Sequence, residues 1–346
     1  MTQNSKKILV LRFSAMGDVA MTIPVIKSVV EQNTNVEIIF VSRRFFAPFF
    51  KDLPQVTFYG IDLNQYKGIY GLYKLYKELK GLNPDEIADL HDVLRTKILR
   101  NFFKISGFSV HVIDKGRKEK KALTQQKNKI FKALTSTFER YAEVFRKKNL
   151  QVDLTRVKPL NMPELTDQVR IFLQTFQGNK LLGVAPFAAH QGKQYPLDKM
   201  RKVIELILEK DKNADILLFG GGNKEKELLG ELEKINRNRV VNTVGIFSLD
   251  EELQIISRLD KMLGMDSGNG HLAAMFGVPV FTIWGATHPY AGFAPFGQLP
   301  EKQFIPDLNK FPQIPTSVYG NKIFPGFEKI WKDIPPEIIV EKLIKN

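Results

Sequence analysis

Short apolar runs alternate with amphipathic stretches along most of the chain, and the alternation fixes the expected elements. In the first half, strands are predicted over residues 8–13, 36–42, 86–90 and 110–113. Helices are predicted over 19–31, 68–80 and 95–105, then a basic loop over 115–129 and a mostly helical stretch over 130–148. Prolines at 159 and 163 break both helix and strand, so a join is expected there. The second half repeats the pattern. Strands are predicted at 181–185, 216–219, 240–242, 261–265 and 280–284, with helices at 197–209, 224–235, 249–258, 271–276 and 335–345. This alternation implies two α/β domains with parallel sheets and helices on both faces. The expected boundaries are 1–160 and 161–330, with a closing helix in 331–346. Ligands of such sheets bind at the carboxyl ends of strands.

Two strand–turn–helix junctions stand out. The first reads Arg12-Phe-Ser-Ala-Met-Gly-Asp-Val19 and the second Asp266-Ser-Gly-Asn-Gly-His271. The start of a helix offers unpaired N–H groups and a positive dipole end, which favour a phosphate or carboxylate. The first junction has the spacing of neither a Walker A loop nor the dinucleotide fingerprint. Asp18 fits two roles, a general base or a helix N-cap. Asp266-Ser267-Gly268 reads equally as a phosphate loop or a capped polar turn, and His271 as an anion donor or a buried histidine. Lys193 lies in a loop after a predicted strand, where a flexible cation can neutralise a departing diphosphate. Arg95, Lys97, Arg117 and Arg140 are candidates for holding anionic groups. The histidines are scattered with no metal-ligand spacing, so neither a metal nor a cofactor is expected.

Charge changes the picture in one half only. The formal net charge is +14, and residues 1–160 hold 29 Lys and Arg against 15 Asp and Glu, whereas the remainder holds 22 of each. An anionic partner is therefore expected for the N-terminal half: an acidic lipid surface, a phosphorylated glycan or a nucleic acid. No nucleic-acid motif is present, so no nucleic-acid partner is expected. No run of about 18 apolar residues exists to span a membrane. The N-terminus lacks the apolar core and cleavage site of a signal peptide. The chain has no cysteine, which excludes disulfides and thiolate metal sites.

Together, the 12–19 segment, Gly192-Lys-Gln-Tyr-Pro196, Asp266–Ala274 and Trp284-Gly-Ala-Thr-His-Pro289 resemble glycosyltransferase family 9, the heptosyltransferases. The resemblance spans nearly the whole chain. It implies a GT-B architecture, two Rossmann-like parallel-sheet domains with a cleft between them. It also implies inverting, metal-independent transfer of a sugar from a nucleotide donor, ADP-heptose in the best-known members, to the lipopolysaccharide inner core. By matching position, Asp18 would be the catalytic base. Gly17, Lys193, Asp266, Ser267, Gly268 and His271 would hold the diphosphate, and Phe247 would line the adenine pocket. Arg95, Lys97, Arg117 and Arg140 would face the acceptor. The implied place of work is the cytoplasm, peripherally at the inner membrane, on an anionic lipid-linked glycan. The sequence departs from the pattern at Ala188, Ala189, Lys224, Tyr195 and 286–288, which leaves the donor open between ADP-heptose and another nucleotide sugar. A non-catalytic nucleotide-sugar binder is the further alternative.

Overall fold

A computed structural model describes residues 5–345. The described residues form two compact units, one of 5–115 and 137–158 and the other of 116–136 and 159–345.

The first unit contains β1 (Lys6–Leu11), α1 (Met16–Ala20), α2 (Ile23–Gln32), β2 (Val36–Arg43), β3 (Val56–Ile61), α3 (Gly68–Lys80), β4 (Glu86–Asp89), α4 (Leu94–Ile105) and β5 (Ser109–Val112). Helix α5 (Arg117–Thr124) belongs to the second unit, and α6 (Thr137–Arg146) returns to the first. The five strands are parallel in the order β3-β2-β1-β4-β5. Central β1 is fully buried from Ile8 to Leu11, as expected of a strand covered on both faces. Its core includes Leu9, Leu11, Phe13, Ile39, Val41, Leu75, Leu79, Ile87, Leu99 and Phe103.

The second unit continues with α7 (Asp167–Gln174), β6 (Lys180–Ala185), α8 (Leu197–Lys210), β7 (Ala214–Leu218), α9 (Gly222–Glu233), β8 (Val240–Asn242), α10 (Leu249–Ile256), β9 (Lys261–Met265), α11 (Gly268–Met275), β10 (Val280–Ile283), β11 (Gln303–Phe304) and α12 (Pro336–Lys345). Its six parallel strands run β11-β10-β9-β6-β7-β8. Counted from β6, this is the doubly wound order 3-2-1-4-5-6 read in reverse. The order turns at β6 and β9, as it turns at β1 and β4 in the first unit, and those turning points are where ligands bind in open parallel sheets.

The architecture agrees with the sequence reading, and four local expectations are corrected. The helix expected over 19–31 is broken after Ala20, because Pro24 has no N–H and sits in the first turn of α2. The expected basic loop at 115–129 contains helix α5, which a left-handed Gly116 opens and a wholly buried Leu123 anchors. Residues 130–136 are not helical, and α6 begins only at Thr137. Leu134 N–H there donates to the Tyr290 carbonyl at 2.9 Å, a bond a helix would forgo. Helix α11 begins at Gly268, three residues before the expected start. Edge strand β3 and helix α7 were not anticipated.

Candidate active-site residues

In the first unit the turning point between β1 and β4 gathers a charged cluster. Arg12 follows β1 directly and is only 6% exposed. Its Nη2 pairs with Asp18 Oδ2 at 2.6 Å, and its Nη1 donates to the Leu90 carbonyl after β4 at 2.9 Å. The guanidinium also lies 5.8 Å from the centre of the buried Tyr141 ring of α6, within cation–π range. Asp18 is the third residue of α1, so it is not the N-cap; that position is Ala15. Its Oδ2 also accepts from Ala15 N–H at 3.3 Å. The side chain remains 31% exposed, and Oδ1 has no hydrogen bond among the described residues. One oxygen thus anchors the carboxylate and leaves the other uncommitted. Gly17 precedes it inside the five-residue α1.

Neighbouring polar groups hold this arrangement rather than extend it. His91 is buried, with Nδ1 accepting from Phe13 N–H at 3.4 Å. Burial first, then the positive Arg12, pushes its pKa down to about 3, so it is neutral at pH 7. The wholly buried Asp89 accepts from the N–H groups of His91 and Asp92 and pairs with Arg100 at 2.8 Å. The sequence-predicted cations differ in setting. Arg95 is exposed at the start of α4, and Lys97 lies 3.8 Å from Asp92. Arg140 is buried in α6 with Nη1 donating to the Asp114 carbonyl at 3.3 Å, and Arg117 opens α5 in the second unit.

In the second unit the loops after β6 and β9 meet at the turning point. Lys193 Nζ pairs with Asp266 Oδ2 at 2.8 Å, and both side chains are largely buried. Ser267 is the N-cap residue of α11, yet its side chain does not cap the helix. Among the described residues its Oγ is buried without a hydrogen-bond partner, as is Oγ1 of Thr287 in the loop after β10. Gly268 opens α11, and His271 is buried on its fourth residue. The arrangement depends on glycine. Gly192 N–H donates to the Gly320 carbonyl at 3.1 Å, and Ala286 N–H to the Gly192 carbonyl at 2.6 Å. A Cβ on Gly192 would lie 2.4 Å from the Gly320 oxygen. Three loops therefore cross in backbone contact beside Lys193.

The remaining predicted residue, Phe247, is half-buried with its ring 4.8 Å from Phe172 of α7. Glu225, beside the departing Lys224, accepts from Gly221 N–H at 2.7 Å and closes the glycine turn after β7. Tyr195 donates to the Ile334 carbonyl at 2.7 Å and packs edge-on against Trp331, so it anchors the C-terminal segment. Sequence reasoning gave no role to Arg12, Tyr141 or Thr287. Arg12 stood inside a motif already singled out, which was the available signal.

The geometry is matched by likeness to known proteins. Residues 72–301 match the profile of glycosyltransferase family 9 (heptosyltransferase). Lipopolysaccharide heptosyltransferase 1 of Campylobacter coli is 24% identical over 300 residues, covering 82% of this chain and 85% of that protein. The lipopolysaccharide core heptosyltransferase OpsX of Haemophilus influenzae is 21% identical over 303 residues, covering 86% and 84%. Among solved structures, a family 9 glycosyltransferase of Veillonella parvula superposes with a TM-score of 0.68 at 18% identity, over 99% of both chains. The E. coli heptosyltransferase WaaC with ADP gives a TM-score of 0.62 at 18% identity, over 94% of this chain and 99% of that one. The fold is thus of the GT-B type seen in these heptosyltransferases, and the family match covers well over half of the sequence. The chain belongs to glycosyltransferase family 9, the heptosyltransferase family, and is a glycosyltransferase.

Proposed function

We propose that this enzyme moves heptose from ADP-heptose onto a lipopolysaccharide inner-core acceptor, with inversion at the anomeric carbon and without a metal. The relatives named above supply the sugar and the acceptor class. The observation that carries the chemistry is the uncommitted Oδ1 of a partly exposed Asp18, beside an Oδ2 tied to Arg12 and Ala15.

In this reading Asp18 Oδ1 takes the proton of the acceptor hydroxyl as that oxygen attacks the anomeric carbon. The bond from that carbon to the diphosphate breaks in the same step, and its electron pair leaves with the nucleotide. Attack opposite the leaving group inverts the centre. Lys193 is positioned by Asp266 to meet the developing charge, with the Ser267 hydroxyl and the first N–H groups of α11. A dipole end and a fixed cation suit such charge because they need no reorganisation at the moment of reaction. Among the described residues no three His, Asp or Glu side chains converge to hold a metal ion. Gly17, Gly268 and His271 complete the diphosphate contacts in this reading, and Phe247 borders the adenine. Arg95, Lys97, Arg117 and Arg140 face the acceptor's anionic groups.

We place the enzyme in the cytoplasm, peripherally on the inner membrane where a lipid-linked acceptor lies. The basic excess of the N-terminal half supports this, and among the described residues no helix is long and apolar enough to cross a membrane.

A thermal-shift series in EDTA tests the donor. ADP at about 100 times its dissociation constant adds about 2.7 kcal/mol of stability. A shift with UDP or GDP species alone would replace the donor and keep the reaction class. Binding of ADP-heptose with no transfer to any core acceptor would turn the reading into one of a binder.

A further inference from the structure

The first unit exposes apolar side chains in an ordered way. Its sheet is all parallel, and strand ends are in register, with Leu11 opposite Val41 and Asp89, and Arg43 opposite Ile61. Every strand-to-helix junction therefore leaves by the same rim, the rim that carries Asp18. Three junctions place large apolar side chains in solvent there. Phe45 follows β2 and is 59% exposed; Ile69 and Tyr70 open α3 at 68% and 84%; Leu94 opens α4 at 74%. Each sits beside exposed cations: Arg43 and Arg44, Lys67, and Arg95 respectively. The carboxylates of the same junctions are engaged locally. Asp62 accepts from Asn64 N–H, and Asp92 pairs with Arg100. The rim is thus apolar and positive at once.

Isolated exposed apolar residues are ordinary, but a repeated pairing of apolar and basic groups along one rim marks an interaction surface. Charge complementarity selects its occupant. Phosphate headgroups satisfy the cations, and the interfacial layer beneath them accepts Phe, Ile, Tyr and Leu, the pairing that holds peripheral proteins on anionic bilayers. We propose that this rim docks the protein on an anionic phospholipid bilayer. Phe45, Ile69, Tyr70 and Leu94 enter the headgroup layer, and Arg43, Arg44 and Lys67 meet lipid phosphates. Docking by this rim presents the Asp18 edge of the sheet to the surface in which a lipid-linked acceptor is anchored. The inference rests on the lipid-linked acceptor proposed above, and it names the surface that meets the lipid.

Sedimentation with phosphatidylcholine vesicles, with and without one-quarter phosphatidylglycerol, tests it. The wild-type protein should partition onto the anionic vesicles. The triple variant Phe45→Ser, Tyr70→Ser, Leu94→Ser should bind at least tenfold more weakly, with its thermal midpoint and ADP-induced shift unchanged. The pair Arg43→Gln, Lys67→Gln should weaken binding and flatten its salt dependence. Wild-type affinity in the serine variant would overturn the rim as the docking surface while leaving charge-driven membrane binding intact. A wild-type protein that ignores anionic vesicles would overturn both. Self-association abolished by the serine substitutions would assign the rim to a second copy of the chain and refute the proposal.

Discussion

Replacing Asp18 by Asn tests the catalytic assignment with little change in shape. The side chain holds Arg12 through Oδ2 at 2.6 Å and leaves Oδ1 open. In the variant, the single amide oxygen must turn toward the Arg12 guanidinium and the Ala15 N–H. The NH2 group then occupies the open position, where it donates a hydrogen bond but cannot accept a proton. Losing a positioned general base costs about 10²- to 10⁴-fold in rate. At 25 °C that raises the barrier by about 3–5 kcal/mol. The ion pair becomes a neutral–cation hydrogen bond, and because Asp18 is partly exposed the stability cost should stay near 1 kcal/mol. The assay compares initial rates of sugar transfer at saturating donor, alongside the ADP-induced thermal shift. The expected result is a loss confined to kcat, with the shift retained, because every proposed donor group but Gly17 sits in the second unit and the substitution leaves Gly17 itself unchanged. Turnover within threefold of wild type, in a folded variant, would refute the role of Asp18.

Four further outcomes follow from the geometry. Lys193→Met should lower kcat by one to three orders of magnitude and weaken ADP binding, since Asp266 is left buried without its cation; unchanged transfer rates would count against the diphosphate assignment. Gly192→Ala puts a Cβ 2.4 Å from a backbone oxygen, so it should cost about 1–3 kcal/mol and lower Tm by several degrees, and an unaltered melting curve would mean the loops do not cross as described. His91, held down to about 3 from an ordinary 6.5, disfavours the folded state as it protonates; stability should fall by up to about 4–5 kcal/mol as pH drops from 6.5 toward 3, and His91→Asn should lose that part of the acid sensitivity in urea titrations. Glu252 on α10 is pushed up to about 7 by burial, so the folded state holds its proton longer and stability falls as pH rises from about 4.5 to 7; Glu252→Gln should gain about 3 kcal/mol at pH 8 and nothing at pH 4, and equal stability at pH 8 would contradict its burial.

How far the sequence reaches is visible in particular residues. β1, β6 and β9 were legible because strands covered on both faces are short, continuous apolar runs. The two glycine junctions were legible because few other chain geometries need that composition at a strand end. Helix α5 was hidden because five of its eight residues are charged, and Leu123 is the one residue in it that is fully buried. β3 was hidden because it is an edge strand, half-buried along most of its length. Arg12 reads in sequence as one more surface cation. What buries it comes from Leu90 and Tyr141, many residues away in the chain, and local periodicity carries no trace of them. The unpartnered hydroxyls of Ser267 and Thr287 belong to the same class, since only packed loops reveal which polar atoms lack partners.

The central claim is heptose transfer from ADP-heptose with inversion and without a metal. The most direct measurement incubates the purified protein with ADP-heptose and a heptose-deficient lipopolysaccharide core in EDTA, then analyses the product by mass spectrometry and NMR. The account predicts a gain of one heptose, one ADP released per transfer, and a new linkage of anomeric configuration opposite to that of the donor. Retained configuration, dependence on an added divalent cation, or transfer only from a different nucleotide sugar would contradict it.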